Sequence, residues 1–438
     1  MDCLSSPTFE RQPQAIVLDP NDNGPPLARS LQRHGVAVSF IATPPCAWTT
    51  RARGVDGHVL GLLPEQTTQW LVLLNRLAAR GRGVLISASD AASEFVALNR
   101  EQIAASLISF ESKQSAHLAL MDKSSMHDLA TRAGVPQPRV VSVRSLSELG
   151  DAAAEIKFPC VLKPAMSHVW RRRFGERRAI VVSDADALAA SAAPALDAGL
   201  EMLVSEYVPG PVSDIETAVI VRCSDGTLPL AYTKRKIYQH PELGAGTLHE
   251  TCEASDTLTL ARRLLDAANF VGLASVEAKR HASTGEVVLI EANVRVPQAF
   301  GLGDAAGVDA SWRLYATLAG VPVRQQPQQR QGVRLLVATR ELRALADVIG
   351  DAGMLRRRIR SYRNVRVVSG IRFDDPRLVM SFLRHVLLRG LLEGCPVLWS
   401  RWRLRPTTFT RAGDSPRLTQ AARAQTASLR KPKMPAPS

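Results

Sequence analysis

Two glutamates flank a short turn at a spacing that brings acid to acid. Ala274–Arg280 and Glu286–Val294 read as strands joined through Ser283-Thr284-Gly285. A three-residue loop with Gly285 in the left-handed region sets Ala282 opposite Glu286, and stepping back along both strands then puts Glu277 directly opposite Glu291. Like charges in that position destabilise a sheet unless something positive lies between them. The same alternation carries Asn293 and Arg295 onto the face of Glu291. Two carboxylates and an amide oxygen suit Mg²⁺, which takes few protein carboxylates and completes its shell with phosphates and water. Glu277, Glu291 and Asn293 are therefore candidate metal ligands of a magnesium nucleotide site. Either glutamate alone reads as an ordinary strand-edge charge; the matched spacing, with Asn293 and Arg295, favours the metal.

A triphosphate on such a platform needs cations on its other side. Lys163 ends the apolar run Phe158-Pro-Cys-Val-Leu-Lys163 before Pro164, so its ammonium projects from a rigid strand as a point charge suited to phosphate. Lys234, Arg235 and Lys236 lie in another hairpin, where a basic run serves either a phosphate or a solvated edge. Ser205-Glu-Tyr-Val-Pro-Gly210 is an extended linker whose backbone groups can pair with an adenine edge, and Asp214 is near enough to accept from ribose hydroxyls. The sequence has no G-x-x-x-x-G-K-[ST], and no G-x-G-x-x-G follows its first strand, which excludes a P-loop and argues against dinucleotide binding at Asp19–Gly24.

The elements that must position these residues fall into two textures. Strands at Ala15–Leu18, Val36–Ile41 and Gly83–Ser87, a short apolar segment at His58–Leu63, and helices at Leu27–His34 and Glu65–Ala79 alternate as in a parallel sheet covered on both faces. A helical pattern over Lys113–Arg132 ends at Gly134, and Pro136 and Pro138 force an extended connection. Ser145-x-x-Glu148 has the spacing of a capping box. Beyond it the pattern is α+β: strands from Phe158, at Ala179–Ser183, Met202–Val208, Thr217–Cys223 and Leu228–Ile237, with a hairpin turn at Ser224-Asp-Gly226 and a helix at Asp256–Phe270. The expected organisation is a Rossmann-like domain over 1–112, a domain over 113–324 with a lid at about 158–205, a basic α+β segment over 325–404, and a disordered basic tail over 405–438.

Composition bounds the rest. The chain has 438 residues, 45% hydrophobic and 22% charged, which suits two or three globular domains and excludes wholesale disorder. Six scattered cysteines without a C-x-x-C pair indicate neither a zinc ribbon nor a disulfide scaffold. With no secretory signal at the first residues, they predict a cytoplasmic protein. Leu378–Trp399 is interrupted by Arg384, Arg389 and Glu393, which rules out a transmembrane segment there. Net charge is +14, and from Gln331 onward 22 basic residues face 7 acidic ones, so the basicity belongs to the C-terminal quarter.

Taken in order, the motifs resemble the ATP-grasp superfamily, in particular its carboxylate–amine ligase branch with a Rossmann-like preceding domain. The resemblance rests on Met121-Asp-Lys123 ahead of Ala133-Gly-Val-Pro-Gln-Pro138, on Phe158-Pro-Cys-Val-Leu-Lys163-Pro164 and on Ser205–Gly210. It continues through Lys234-Arg-Lys236 with Pro241 and Gly244, and Glu277 with Ile290-Glu-Ala-Asn-Val-Arg295. It implies an α/β and α+β fold with two subdomains enclosing a nucleotide cleft and a basic C-terminal extension. By the same resemblance, Lys123 and Lys163 contact ATP phosphates, Glu206 and the Val208 backbone hold adenine, and Asp214 takes the ribose. Lys234 or Lys236 reaches the γ-phosphate, Glu277, Glu291 and Asn293 bind Mg²⁺ or Mn²⁺, and Arg295 stabilises an acyl phosphate, so Arg295 and Lys236 are the expected catalytic residues. The implied reaction phosphorylates a carboxylate from ATP and joins it to an amine, leaving ADP and phosphate. Two departures stand out: the usual glycine-rich lid loop is the arginine-rich His168–Gly175, and the usual Asn-Pro-Arg is Asn293-Val-Arg295. The lost proline alters backbone stiffness and not the ligand set, so activity is expected to survive.

Small carboxylates and amines are the expected partners. The basic end, with Arg356–Arg358, Arg360, Arg363 and Arg366, then Arg401, Arg403 and Arg405 beside Trp399 and Trp402, offers weak contact with an anionic membrane or nucleic acid. The competing readings are a solvated basic surface, a non-catalytic nucleotide- or polyanion-binding protein on the same scaffold, and a bicarbonate-activating enzyme.

Overall fold

In a computed structural model, residues 12–110, 112–166, 170, 179–372 and 374–401 are described, with side chains as far as residue 388. The lid loop at 168–175 (Trp170 excepted) and the tail at 405–438 lie outside them. Every contact below falls within the unit that ends at Val386.

Strands β1 (Gln14–Leu18), β2 (Val38–Ala42), β3 (Val55–Val59), β4 (Gly83–Ser87) and β5 (Leu107–Ile108) form a sheet of order β3-β2-β1-β4-β5 whose pairs are all parallel. Alternation along β1 decides which side each residue packs on. Ala15 and Val17 join the core under the helix Gly24–Arg33, and Ile16 and Leu18 join that under Thr67–Ala78 and Asp90–Leu98. In such sheets ligands bind beyond the carboxyl ends of the strands, where the strand order reverses. Here the β1 and β4 ends lead into the loops that carry Asn21, Asp22 and Asp90.

The second sheet is antiparallel, of order β6-β9-β7-β8, from β6 (Val140–Val143), β7 (Cys160–Pro164), β8 (Ile180–Val182) and β9 (Met202–Glu206). Cys160 and Leu162 face a core with the helices Leu146–Glu155 and Ala185–Leu196. Ser145 Oγ accepts from Glu148 N at 3.2 Å as the capping-box spacing predicts, while the Glu148 carboxylate takes Arg144 N at 2.7 Å instead of the cap residue's own amide.

The third sheet joins β10 (Ile215–Arg222), β11 (Leu230–His240), β12 (Ala245–Thr251), β13 (Gly272–Arg280), β14 (Val287–Asn293), β15 (Arg334–Val337) and β16 (Val365–Ser369) in the order β14-β13-β10-β11-β12-β15-β16. The sequence reading missed β12. The basic segment after residue 325 gives this sheet two strands, with β15 antiparallel to β12 and β16 parallel to β15. One face buries Ala218, Ile220, Ala274 and Val276 against Leu260, Leu264 and Met126. The other begins apolar, with Val219, Val221 and Tyr232 in the core under Gly24–Arg33. Farther along it turns polar, where Thr217 pairs with Glu277 on one side and Lys234 on the other.

The pattern read as one helix over 113–132 is two, Gln114–Met121 and Lys123–Arg132. Asp122 adopts extended backbone (φ −83°, ψ 120°), and its side chain accepts from Ser125 N at 2.8 Å. An N-cap of that kind satisfies one of a helix's orphan amides, which offsets the break and starts a new helix with Lys123 at its first position.

Candidate active site between the sheets

A cavity of about 290 Å³ is lined by the polar end of the third sheet, the Val161/Lys163 face of the second, and the carboxyl-end loops of the first. Ten of the eleven residues singled out from sequence line it: Lys123, Lys163, Glu206, Val208, Lys234, Lys236, Glu277, Glu291, Asn293 and Arg295. Asp214 does not. It ends the single 3-10 turn Val212–Asp214 beyond the linker, where its charge acts on Lys279.

The acid pair is where the sequence put it, for a partly different reason. Glu277 and Glu291 are cross-strand partners, but near the turn Ala278 pairs with Leu289 and Arg280 with Val287. His281 N bonds to Glu286 O at 2.8 Å and Gly285 N to His281 O at 2.8 Å, so the loop holds four residues, not three. A bulge at Ile290 then inserts one residue on the opposite strand and restores the expected register at the acids. It also turns Ile290 towards the cavity beside Glu291.

Each carboxylate meets its own lysine. Lys236 Nζ lies 2.7 Å from Glu277 Oε2 and Lys123 Nζ 3.2 Å from Glu291 Oε1. These ion pairs relieve the face-to-face repulsion, so the register by itself does not demand a metal. The balance of charge is more telling: Lys123, Lys163, Lys234, Lys236, Lys279, Arg295 and Arg340 line the cavity against Glu206, Glu277, Glu291, Asp22 and Asp90. With Glu206 turned to the Arg139 amide and Asp22 to Thr339, the cations outnumber the acids facing the centre.

Two of the lysines are held in unusual states. Burial is the main reason that Lys163 and Lys234 fall to about 8; Lys123 deepens the effect on Lys163 and Glu291 opposes it, while Glu277 props up Lys234 and Lys236 opposes that. Lys163 Nζ is 3.3 Å from His127 Nε2. Burial, and then Lys163 itself, hold His127 down to about 3, so the ring is neutral. Its Nδ1 faces Gln137 Oε1 at 2.5 Å and therefore carries the proton, leaving Nε2 to accept from the ammonium. His249, also kept neutral by burial, offers Nδ1 to Lys234 Nζ at 3.5 Å.

Arg295 is fixed from the first sheet. Val296 N donates to Ser87 O at 2.9 Å and Ser93 Oγ to Val294 O at 2.6 Å, which ties the chain after β14 to the end of β4. Arg295 Nε then reaches Asp90 Oδ1 at 2.6 Å, and a terminal nitrogen reaches Asn293 Oδ1 at 3.1 Å. Asp90 opens a helix capped by Ser89, whose Oγ accepts from Ala92 N. At the far end, Lys279 Nζ donates to Val208 O at 2.7 Å and sits 5.4 Å from the Tyr207 ring centroid, fastening the linker to β13.

Sequence reasoning missed Asp90, Lys279 and His249. Lys279 was findable, since it shares the parity of Glu277. Ser89-Asp90 after a strand has the look of a helix start, but nothing in one dimension pairs it with an arginine 205 residues away. His249 went with the unread strand β12.

Because Asp122 starts the helix that presents Lys123, Asp122→Ala is expected to cost about 1 kcal/mol of stability, read from urea unfolding. An unchanged midpoint would contradict the capping role.

No family model matches the chain, and no curated protein matches it in sequence. Solved structures do resemble it. The N5-carboxyaminoimidazole ribonucleotide synthetase PurK, complexed with ADP, superposes with a TM-score of 0.60 at 15% identity over 78% of this chain and 85% of that one. The biotin carboxylase domain of the Hydrogenobacter thermophilus 2-oxoglutarate carboxylase, complexed with MgADP, ADP and bicarbonate, gives 0.58 at 14% identity over 74% and 73%. An L-amino acid ligase from Bacillus licheniformis gives 0.55 at 12% identity over 71% and 75%.

Proposed function

We propose, from the ATP-grasp fold that this chain shares with those three structures and from the residues around its cavity, that the protein is an ATP-dependent carboxylate–amine ligase. The observation that carries the reading is the convergence of ten residues chosen from sequence on one cavity with surplus positive charge. A triphosphate answers that surplus. Lys123, Lys163, Lys234 and Lys236 are assigned to its phosphates, and the Glu206–Val208 linker to the base; Asp214, which does not line the cavity, is given no ribose contact.

The donor set fits Mg²⁺. Two carboxylates and one amide oxygen leave most of an octahedral shell to phosphate and water. Among the described residues no three His, Cys, Asp or Glu side chains gather into a cage that would hold a metal unaided. Glu277, Glu291 and Asn293 would hold the ion, which when bound supplies charge neutralisation on the phosphates. A phosphate chain gives Lys236 and Lys123 another anion to pair with and leaves the two carboxylates available for the cation.

The protein's own work is positioning and electrostatics, which suffices for phosphoryl transfer. A carboxylate oxygen attacks the γ-phosphorus and the bond to ADP breaks. Arg295, oriented by Asp90, then stabilises the acyl phosphate while the amine nitrogen attacks its carbonyl carbon. The carbon–oxygen bond to phosphate breaks and the amine gives up a proton. Product analysis tests the reaction: ATP, Mg²⁺ and a panel of carboxylates with amines, bicarbonate included because the biotin carboxylase structure holds it, should yield ADP and phosphate. Release of AMP and pyrophosphate would contradict the acyl-phosphate route.

A pH effect follows from the two low-pKa lysines. Above about 8 the free protein loses protons from Lys163 and Lys234, whereas a bound phosphate favours the ammonium form. At pH 8.5 the two lysines should therefore take up as many as about 1.5 protons on nucleotide binding, and contribute essentially none near pH 6.5, with affinity falling as pH rises above about 8. Calorimetry in buffers of different ionisation enthalpy measures that number; zero uptake at pH 8.5 would rule these lysines out as phosphate contacts.

A further inference from the structure

On another part of the same unit, a hollow of about 800 Å³ is lined by Arg29, Arg33, Arg330, Arg366 and Arg372, and it shares no lining residue with the cavity above. The arginines come from separate stretches of chain: the helix Gly24–Arg33, the linker before β15, strand β16 and the turn after it. Such convergence is costly without counter-charge. Among the described residues no carboxylate stands within ion-pair distance of Arg29, Arg33, Arg330 or Arg366, and only Arg372 has one, Asp374 at 2.7 Å. Asp304 also lines the hollow; its two oxygens accept from Ser311, N at 2.9 Å and Oγ at 2.6 Å, and its charge acts on Arg33 without forming an ion pair with it. Arg29 bears the cost most plainly. One of its terminal nitrogens is buried with no hydrogen-bond partner among the described residues, and burial, then neighbouring Arg372, lowers its pKa to about 10 even though Asp374 and Asp375 pull it up.

Guanidinium forks match phosphate oxygens in geometry as well as charge, and a buried donor left open is satisfied by an oxyanion. We propose that this hollow is a second ligand site, for a small anion carrying two or more phosphoryl groups, separate from the nucleotide cavity. A concave space of this size with arginines arriving from several elements suits a compact polyanion better than an extended surface. The site also explains part of the positive surplus of the C-terminal quarter, since Arg366 and Arg372 belong to it.

Calorimetric titration of the full chain with inorganic tripolyphosphate tests this, using three proteins. The unaltered chain should bind it. Arg33→Glu/Arg366→Glu, both exposed and so tolerable for folding, made in the Lys163→Ala/Lys234→Ala protein so that the nucleotide cavity no longer competes for the triphosphate, should weaken this binding at least tenfold relative to that parent; circular dichroism verifies the fold. Lys163→Ala/Lys234→Ala, altered only in the nucleotide cavity, should retain it. An isotherm unchanged in the arginine variant, or one abolished in the lysine variant, would overturn the proposal. So would a change in mass by light scattering in the arginine variant with tripolyphosphate binding intact, which would make this face a contact between copies of the chain. Because the lysine variant isolates the cavity, failure here leaves the ligase reading untouched.

Discussion

Glu291→Gln is expected to lower turnover about 100- to 1,000-fold, the range found when one preorganised electrostatic group is removed from a reacting centre, while stability changes by no more than about 1 kcal/mol. The amide keeps the shape of the side chain and an oxygen that still accepts from Lys123, now 3.2 Å away. What it loses is the charge that a metal on the nucleotide would feel. Glu291 is about one-quarter exposed, so water shares the burden of the change. Glu286→Gln, on the exposed rim of the same hairpin, is the matched control and should leave kcat unaltered. Steady-state kinetics with a magnesium titration checks both. Full activity in the Glu291 variant would remove it from the metal site.

Arg295→Ala should be at least as damaging, about 1,000-fold in kcat with a smaller change in KM for ATP, because its charge is spent on the transition state and not on nucleotide affinity. Lysine should rescue little, since a single ammonium cannot replace a planar fork held at once by Asp90 and Asn293. The mutation also strands Asp90, which is about one-fifth exposed, and stability should fall by about 1–3 kcal/mol. Asp90→Ala/Arg295→Ala separates the two roles. It should recover much of the lost stability, as neither charge is then left alone, and recover none of the activity. A double variant whose activity returned would make Arg295 a structural residue only.

The hairpin shows how the sequence can lead to the right place by two compensating errors. Counting strand residues assumed a three-residue loop and an unbroken ladder. The chain uses a longer loop and a bulge at Ile290, which cancel at Glu277 and Glu291. Turn length and bulges are decided by local hydrogen bonds that residue types only weakly prescribe. Period-two strands and their apolar faces were legible because burial writes directly on the sequence, as in Cys160 and Leu162 against Val161 and Lys163. Strand β12 was not, since Ala-Gly-Thr-Leu-His-Glu-Thr follows Gly244 and lacks the β-branched density that marks a strand. The break at Asp122 was hidden because helical periodicity runs through it on both sides, and only a side chain free to cap reveals the stop. Arg295 could be chosen as a site residue, but Asp90, which aims it, comes from another sheet and required the tertiary structure.

Calorimetric titration of ATP into the protein, with Mg²⁺ and with a chelator in its place, tests most directly whether the facing carboxylates serve a metal–nucleotide complex. The unaltered protein should bind ATP substantially more tightly with Mg²⁺ than without, and Glu277→Gln/Glu291→Gln should lose that difference while keeping the weaker, metal-free binding through the lysines. Equal affinity with and without Mg²⁺ in the unaltered protein, or no ATP binding at all, would contradict the account.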